Sequence, residues 1–416
     1  MRHIAIVAVL LTAVQAAGAE PSSFVTASPA PLVPAEAKVA MAEAGNAFAF
    51  DLYAKLRDRQ GNLFFSPLSI STILTVAYSG ARGETADEMA AVLRCRSDRL
   101  SQPESVHAAA ALLLADLSAQ NGRDCEISIA NALWGRKGFG FQPAFLGLIE
   151  KNYGASLQEA DFAGDPEGAR QAMNAWFLRS TRGKIADFLA PGEIQPQSRL
   201  VLANAVYFKA AWLHRFDKSG TTSQDFHVAA GKAVSVPMMN QTMIFTYLDG
   251  GDFQAVGMPY RNQGFEMVIL LPKSVNGLAQ LEKSLTGANV AQWWPKLTQR
   301  FVIVAVPRFR VTAKAELAGV LAAMGMPRAF DRTRVDFSAM NGGKEPLWID
   351  GIFHSALAEV NEDGTCAAAA TRGEFFGAGM EEPPPVFRAD HPFLFLIRDT
   401  RSGCILFLGR VVNPKA

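Results

Sequence analysis

Residues 354–376, HSALAEVNEDGTCAAAATRGEFF, are the part of this chain whose residue types point to chemistry, and that chemistry belongs to the backbone. Gly364 and Thr365 open onto Cys366 and the run Ala367, Ala368, Ala369, Ala370, which has neither bulk nor charge. Gly373, Gly377, Gly379 and three successive prolines, Pro383 to Pro385, follow; regular helix is forbidden there, and the prolines supply no ladder donors. The stretch reads as a long exposed loop, and loops of roughly twenty residues inside a compact chain are uncommon and usually functional or disordered. Small side chains at its N-terminal root let that segment slot between neighbouring strands without displacing core volume, and Thr and Ala tolerate an extended backbone. The expectation is a loop that can become a strand.

Side-chain catalysis finds no comparable support. The chain contains no G-x-S-x-G elbow, no H-E-x-x-H, no C-x-x-C, no phosphate-cradling G-x-x-x-x-G-K-[ST] and no dinucleotide G-x-G-x-x-G. Its six histidines stand far apart, without metal-ligand spacing. A dispersed Ser-His-Asp site is recognised by geometry alone, so a secreted hydrolase stays open as one reading. Asn240-Gln241-Thr242 is a glycosylation sequon, meaningful only in a source that glycosylates.

With 416 residues, 49% of them hydrophobic and 19% charged, the chain has ordinary globular chemistry and ample length for a large core. A formal net charge of +1, with Lys and Arg scattered, argues against a nucleic-acid or anionic-membrane partner. Arg94, Arg96, Arg99 and Arg123 interleave with Glu104, Asp116 and Asp124, so surface solvation explains them and no polyanion cofactor is expected. Arg2 and His3 precede the apolar run Ile4 to Val14, and Ala17-Gly18-Ala19 has a small-x-small pattern. Residues 1–19 therefore read as a removed signal peptide, which places the protein outside the cytoplasm, extracellular or periplasmic. The apolar run is too short to span a bilayer of roughly 30 Å as a helix, and no cysteine follows the site to carry a lipid. Residues 20–42, rich in Pro, Ala and Ser, read as a flexible leader before a single domain over 43–416. Export makes disulfides possible, and Cys95, Cys125, Cys366 and Cys404 allow three full pairings. Cys366 is expected outside any structural disulfide, because a permanent bridge would restrict insertion of the loop.

Several elements must position that loop. Glu43 to Arg57 has helical apolar spacing, with Phe48, Leu52 and Leu56 on one face. Asn62 to Leu93 predicts a short strand, a helix starting at Ser66-Pro67 and a second helix capped near Thr85. Residues 104–119 and Met173 to Leu189 read as helices, the latter ending at Gly183, and Ser128 to Leu133 as a strand. Leu200 to Trp212, LVLANAVYFKAAW, is nearly continuous in apolar residues, the mark of a strand buried on both faces. Beyond Phe226, short alternating runs separated by turns such as Asp249-Gly250-Gly251 dominate. Helices early and strands late point to α+β with large antiparallel sheets.

Six stretches in order resemble the serpin family, from about Asn46 to Pro414. They are Asn62 to Met89 around SPLSI; Asn174-Ala175-Trp176 with Thr181 and Gly183-Lys184-Ile185; Asn204 to Lys209 with Trp212; Pro307-Arg308-Phe309; His354 to Ala370; and Asp390 to Pro414. The resemblance implies a serpin fold with three mainly antiparallel sheets, eight or nine helices and an exposed reactive-centre loop at about 362–386. It also implies a monomeric suicide inhibitor of serine or cysteine proteases, not an enzyme, with no cofactor. A protease attacks the loop as substrate; once the covalent acyl-enzyme forms, the freed arm inserts into the central sheet and releases stored strain. Distortion of the protease site then blocks deacylation, since small misplacements of catalytic groups cost large rate factors.

The family's hinge role falls on Glu362, Asp363, Gly364, Thr365 and Ala367 to Ala370, with Thr365 entering the sheet first. Period-two alternation puts Thr365, Ala367, Ala369 and Thr371 on one face and Cys366 and Arg372 on the other. The polar shutter beneath falls on Ser66, Ser69, Asn204 and His354, and Trp212 marks the top of the sheet. The family's spacing from the hinge glutamate places the scissile bond between Ala378 and Gly379, with Met380 and Phe376 as alternatives. These residues favour an elastase-like, subtilisin-like or chymotrypsin-like target. Cys366 stands where the family often has an acidic residue, Arg372 adds a charge, Ser355 replaces a common Lys and Ala210 a common Gly. Cys366 and Arg372 keep a second function open: a non-inhibitory binding or chaperone-like serpin whose loop is cut as plain substrate.

Overall fold

The computed structural model describes residues 35–100, 102–155, 157–181, 183, 186, 188–365 and 383–415. The expected signal peptide, the leader up to residue 34, and positions 366–382 lie outside them. The first half of the chain runs α1 (Ala35–Leu56), β1 (Leu63–Phe65), α2 (Pro67–Tyr78), α3 (Gly83–Val92), α4 (Pro103–Ser118), β2 (Cys125–Arg136), α5 (Pro143–Tyr153), β3 (Leu157–Ala160), α6 (Pro166–Ser180) and β4 (Leu200–Ala211). The second half runs β5 (Thr222–Ala229), β6 (Lys232–Asp249), β7 (Phe253–Pro259), β8 (Phe265–Pro272), α7 (Leu278–Ser284), α8 (Gly287–Trp293), β9 (Thr298–Pro307) and β10 (Phe309–Glu316). It closes with α9 (Ala318–Met324), α10 (Ser338–Asn341), β11 (Ile349–Val360), β12 (Gly364–Thr365), β13 (Val386–Arg388), β14 (Phe393–Asp399) and β15 (Ile405–Val411).

Two ladders organise these strands, as the α+β expectation requires. The smaller has the order β10-β11-β4-β2-β3, with β12 attached to β4. The larger has the order β1-β15-β14-β8-β7-β6-β9-β13, with β5 attached to β6. Two of the three expected sheets merge in the larger ladder, because the 18-residue strand β6 pairs with β5 and β9 and also, through Thr246 to Asp249, with β7. Every residue of β4 but Lys209 is buried, as its near-continuous apolar run predicts.

Helix starts follow local chemistry and differ in places from the sequence expectation. Ser66 caps α2 by accepting the Ser69 N–H at 3.2 Å, and Pro67 fills the first helical position, where no N–H is needed. The first helix begins at Ala35, inside the expected leader, because its alanines favour helix and Ala37, Ala40 and Met41 find a core to enter. Thr85 does not cap α3; it lies within the helix, and its Oγ1 accepts the Asp336 N–H at 2.9 Å instead. Asp165 starts α6 earlier than expected by accepting the Gly168 N–H at 2.8 Å, and the helix ends at Ser180, short of Gly183. Met173 and Phe177 of α6 join Val201, Ala203, Ala205 and Phe353 in a core cluster that clamps this helix across the smaller sheet.

Candidate functional site

The site lies along the seam between β11 and β4. These strands run parallel, paired from Ile349 opposite Leu200 up to Leu357 opposite Tyr207. Beyond Leu357 they part: Ala358 and Val360 keep only their β10 partners, and β4 continues to Ala211. Into that mouth comes β12, antiparallel to β4, with Gly364 opposite Ala211 and Thr365 opposite Ala210. Parallel neighbours normally require a long crossover, and here about 150 residues separate the pair His354 and Asn204.

A tight turn joins β11 to β12. Asn361 and Gly364 exchange backbone hydrogen bonds of 3.0 and 3.2 Å, and the Asn361 carboxamide oxygen accepts the Asp363 N–H at 3.1 Å. Gly364 has φ +140°, and a Cβ there would collide with the backbone of Ala210, Ala211 and Trp212, so the position demands glycine. Thr365 is 1% exposed, and its hydroxyl meets the Tyr260 hydroxyl at 2.9 Å. Tyr260 stacks on Trp212 with ring centroids 4.6 Å apart, while the Trp212 indole donates to the Asn361 carbonyl at 2.9 Å. Glu362 is buried, and its Oε1 accepts from Arg308 Nε at 2.7 Å and Thr221 Oγ1 at 2.6 Å. Burial favours the neutral acid, but the Arg308 and Thr221 hydrogen bonds outweigh it and hold this carboxyl below its usual range. Asp363 pairs with Lys218 at 2.8 Å.

Lower on the seam lies a buried polar row. Ser66 donates its backbone N–H to His354 Nε2 at 3.1 Å, which leaves the ring proton on Nδ1 to be donated to Asn204 Oδ1 at 2.6 Å. The Asn204 amide donates in turn to Ser69 Oγ and to Asn131 Oδ1. His354, Asn204 and Asn131 stand in register across β11, β4 and β2, so one row of side chains spans three strands and meets the start of α2. Complete burial holds the imidazole neutral, with its pKa down at about 3. The network is satisfied throughout, and one of its bonds, from His354 to Asn204, crosses the seam itself.

Comparison with known proteins fits this geometry. The family model described as Serpin (serine protease inhibitor) matches residues 43–414. The chain is a serpin. An uncharacterised serpin-like protein of Thermococcus kodakarensis is 40% identical over 89% of this chain and 85% of its own length. The human leukocyte elastase inhibitor is 36% identical over 90% of this chain and 99% of its own. In three dimensions, a highly specific serpin of the insect Tenebrio molitor superposes with a TM-score of 0.79 at 31% identity, covering 90% of this chain and 98% of its own. Family and relatives together point to protease inhibition, and so to a target protease as partner, rather than to catalysis.

In this serpin the four expected shutter residues, Ser66, Ser69, Asn204 and His354, meet in one network, and Trp212 lies at the top of the seam beside the hinge. Glu362 to Thr365 form the turn and first inserted pair, while Ala367 to Ala370 and the candidate bond residues Phe376, Ala378, Gly379 and Met380 lie outside the described residues. Sequence reasoning missed Asn131, Thr221 and Tyr260. Each meets its partner from a segment far away in the chain. Cys95, Cys125 and Cys404 are free and buried, and burial pushes their thiols up to about 11, 12 and 12. All three full pairings are thereby excluded, since each needs a bond among these three. Cys366 lies outside the described residues. Two of the departures from the family pattern are accommodated: Ser355 is buried and donates to the Ala313 carbonyl at 3.1 Å, and Ala210 is buried opposite Thr365.

Proposed function

We propose that this serpin is a suicide-substrate inhibitor that traps its target by inserting the cleaved loop between β11 and β4. The observation that carries the proposal is the pair Gly364 and Thr365, already laddered antiparallel onto the top of β4 where the seam opens. A strand continuing from them down the seam would replace one parallel ladder by two antiparallel ones, which pair slightly more favourably per residue. In the reaction, the protease nucleophile attacks the carbonyl carbon of Ala378, the bond to the Gly379 nitrogen breaks with a proton delivered to that amine, and the acyl ester stays on the enzyme. Insertion then carries the enzyme along before water can deacylate it.

The target class proposed is elastase-like, subtilisin-like or chymotrypsin-like, from the residues Phe376 to Met380, and the inhibitor acts as a monomer. Export follows from the signal-like residues 1–19. Mixing the protein with one protease of each type should give a covalent complex that survives denaturing electrophoresis and a released fragment beginning at Gly379. Loop cleavage without a complex, and without gain in thermal stability, would establish the substrate-only serpin that Cys366 and Arg372 keep in view.

A further inference from the structure

At the end of the seam opposite the hinge, β11 carries an irregularity: the register against β4 slips between Ile349 and Gly351, leaving Asp350 as the extra residue. Its carboxylate reaches across to β4. One oxygen, Oδ2, accepts the backbone N–H of Arg199 and that of Leu200, the latter at 3.2 Å, while Oδ1 accepts the Trp348 indole N–H at 2.9 Å. Arg199 lies over the Trp348 ring at 5.3 Å and over Phe139 at 5.9 Å, which fixes the indole where the carboxylate needs it. The seam-crossing bond described above, from the His354 to the Asn204 side chain, belongs to the shutter. Asp350 belongs to neither the shutter nor the hinge.

Register decides what this tie does. Gly364 opposite Ala211 and Thr365 opposite Ala210 set the pairing for any strand that continues down β4. Kept in that register, Phe375 comes opposite Leu200 and Phe376 opposite Arg199, the two residues whose N–H groups Asp350 holds. Cleavage after Phe376, Ala378 or Met380 therefore gives the same requirement: complete insertion has to part β11 from β4 at Asp350. Once a strand lies between them they stand two spacings of about 4.8 Å apart, beyond the reach of an aspartate side chain.

We propose that Asp350 is a positioning residue that ties the foot of the seam in the active protein and is released in the last step of insertion. The inference rests on the insertion reading above. The tie stabilises the uninserted form alone, so it slows both spontaneous loop uptake and the final movement of a trapped protease. Hydrogen bonds to a charged acceptor of this kind are worth about a tenfold factor in rate or equilibrium.

The test compares wild type with Asp350→Ala, Asp350→Asn and Trp348→Phe, using a subtilisin-type protease as probe. Spontaneous loss of inhibitory activity at 37 °C should be about tenfold faster for Asp350→Ala, with Asp350→Asn intermediate because one oxygen still accepts from β4. The decisive readout is the thermal midpoint of each variant before and after loop cleavage. Asp350→Ala should lower the midpoint of the uncleaved form and leave that of the cleaved, inserted form unchanged. An equal drop in both forms would make Asp350 an ordinary structural residue and overturn the inference, as would unchanged rates of activity loss. A wild type that gains no stability on cleavage would overturn the insertion reading itself, and the inference with it.

Discussion

In the larger sheet, β8 and β14 lie antiparallel from Leu394 opposite Leu270 to Asp399 opposite Phe265, and every side chain of β8 is buried. In the smaller sheet, β11 and β4 lie parallel, with a buried His354-Asn204-Asn131 row and a bulge at Asp350 along their length. Both regions are buried. They differ in what crosses them: mostly apolar side chains with one charged pair, Arg398 and Glu266, against a row of neutral directed hydrogen bonds, which can be made, broken and remade. On the insertion reading, stability resides in one sheet and convertibility in the other.

The sharpest way to break that contrast is to block the convertible sheet without touching the stable one. Thr365→Arg would place an unpaired charge where a buried hydroxyl now meets Tyr260, so the side chain should turn out of the sheet. Complex formation should vanish while the loop is still cut and the circular dichroism spectrum is unchanged; a persisting covalent complex would refute the seam as the insertion route. The converse change is Leu396→Ala in β14, whose side chain is fully buried. It should cost about 2–5 kcal/mol in denaturant unfolding. Inhibition per folded molecule should stay as in wild type, and a raised stoichiometry would show that the two sheets are coupled.

Acid should act on the seam through His354 and on the α4–α5 contact through His107. Burial holds His354 down at about 3 and His107 at about 4, so each binds its proton in the unfolded chain before it does so in the fold. Their contribution is complete above the unfolded value near 6.5 and is lost as pH falls toward the folded values, about 2 kcal/mol for His354 between pH 6.5 and 5. Melting curves across that range should show the decline, and His354→Gln should flatten it; an unaltered slope would clear His354. The smallest effect is expected at the hinge, where Arg308→Ala leaves buried Glu362 without its charged partner. Because the Arg308 side chain is half-exposed, the loss should be about 1–2 kcal/mol, with activity lost faster on incubation.

Much of this arrangement is legible in the amino-acid sequence. The unbroken apolar run of β4 announced a strand covered on both faces, Ser66-Pro67 announced the start of α2, and the family pattern named the four shutter residues. The sequence misled where a local signal met tertiary packing: Ala35 to Ala42 reads as leader by composition yet is helical because a core is there to receive it. Thr85 reads as a cap but is taken by Asp336. Asn131, Tyr260, Thr221 and Asp350 gave no signal, because each acts through a partner that is brought near by the fold from far along the chain.

The two-residue turn at Glu362 and Asp363 also bears on how the protein comes to exist. A hairpin that continues from this turn pairs residues a few positions apart, whereas β11 on β4 must close about 150 residues of chain. Local pairings form faster than distant ones. On the insertion reading, the working molecule is reached only when β11 docks on β4 before the strand beyond Thr365 zips onto β11. Its active form is chosen by order of arrival and not by depth of the energy well, so refolding from denaturant should yield a mixture whose active fraction depends on temperature and rate of dilution.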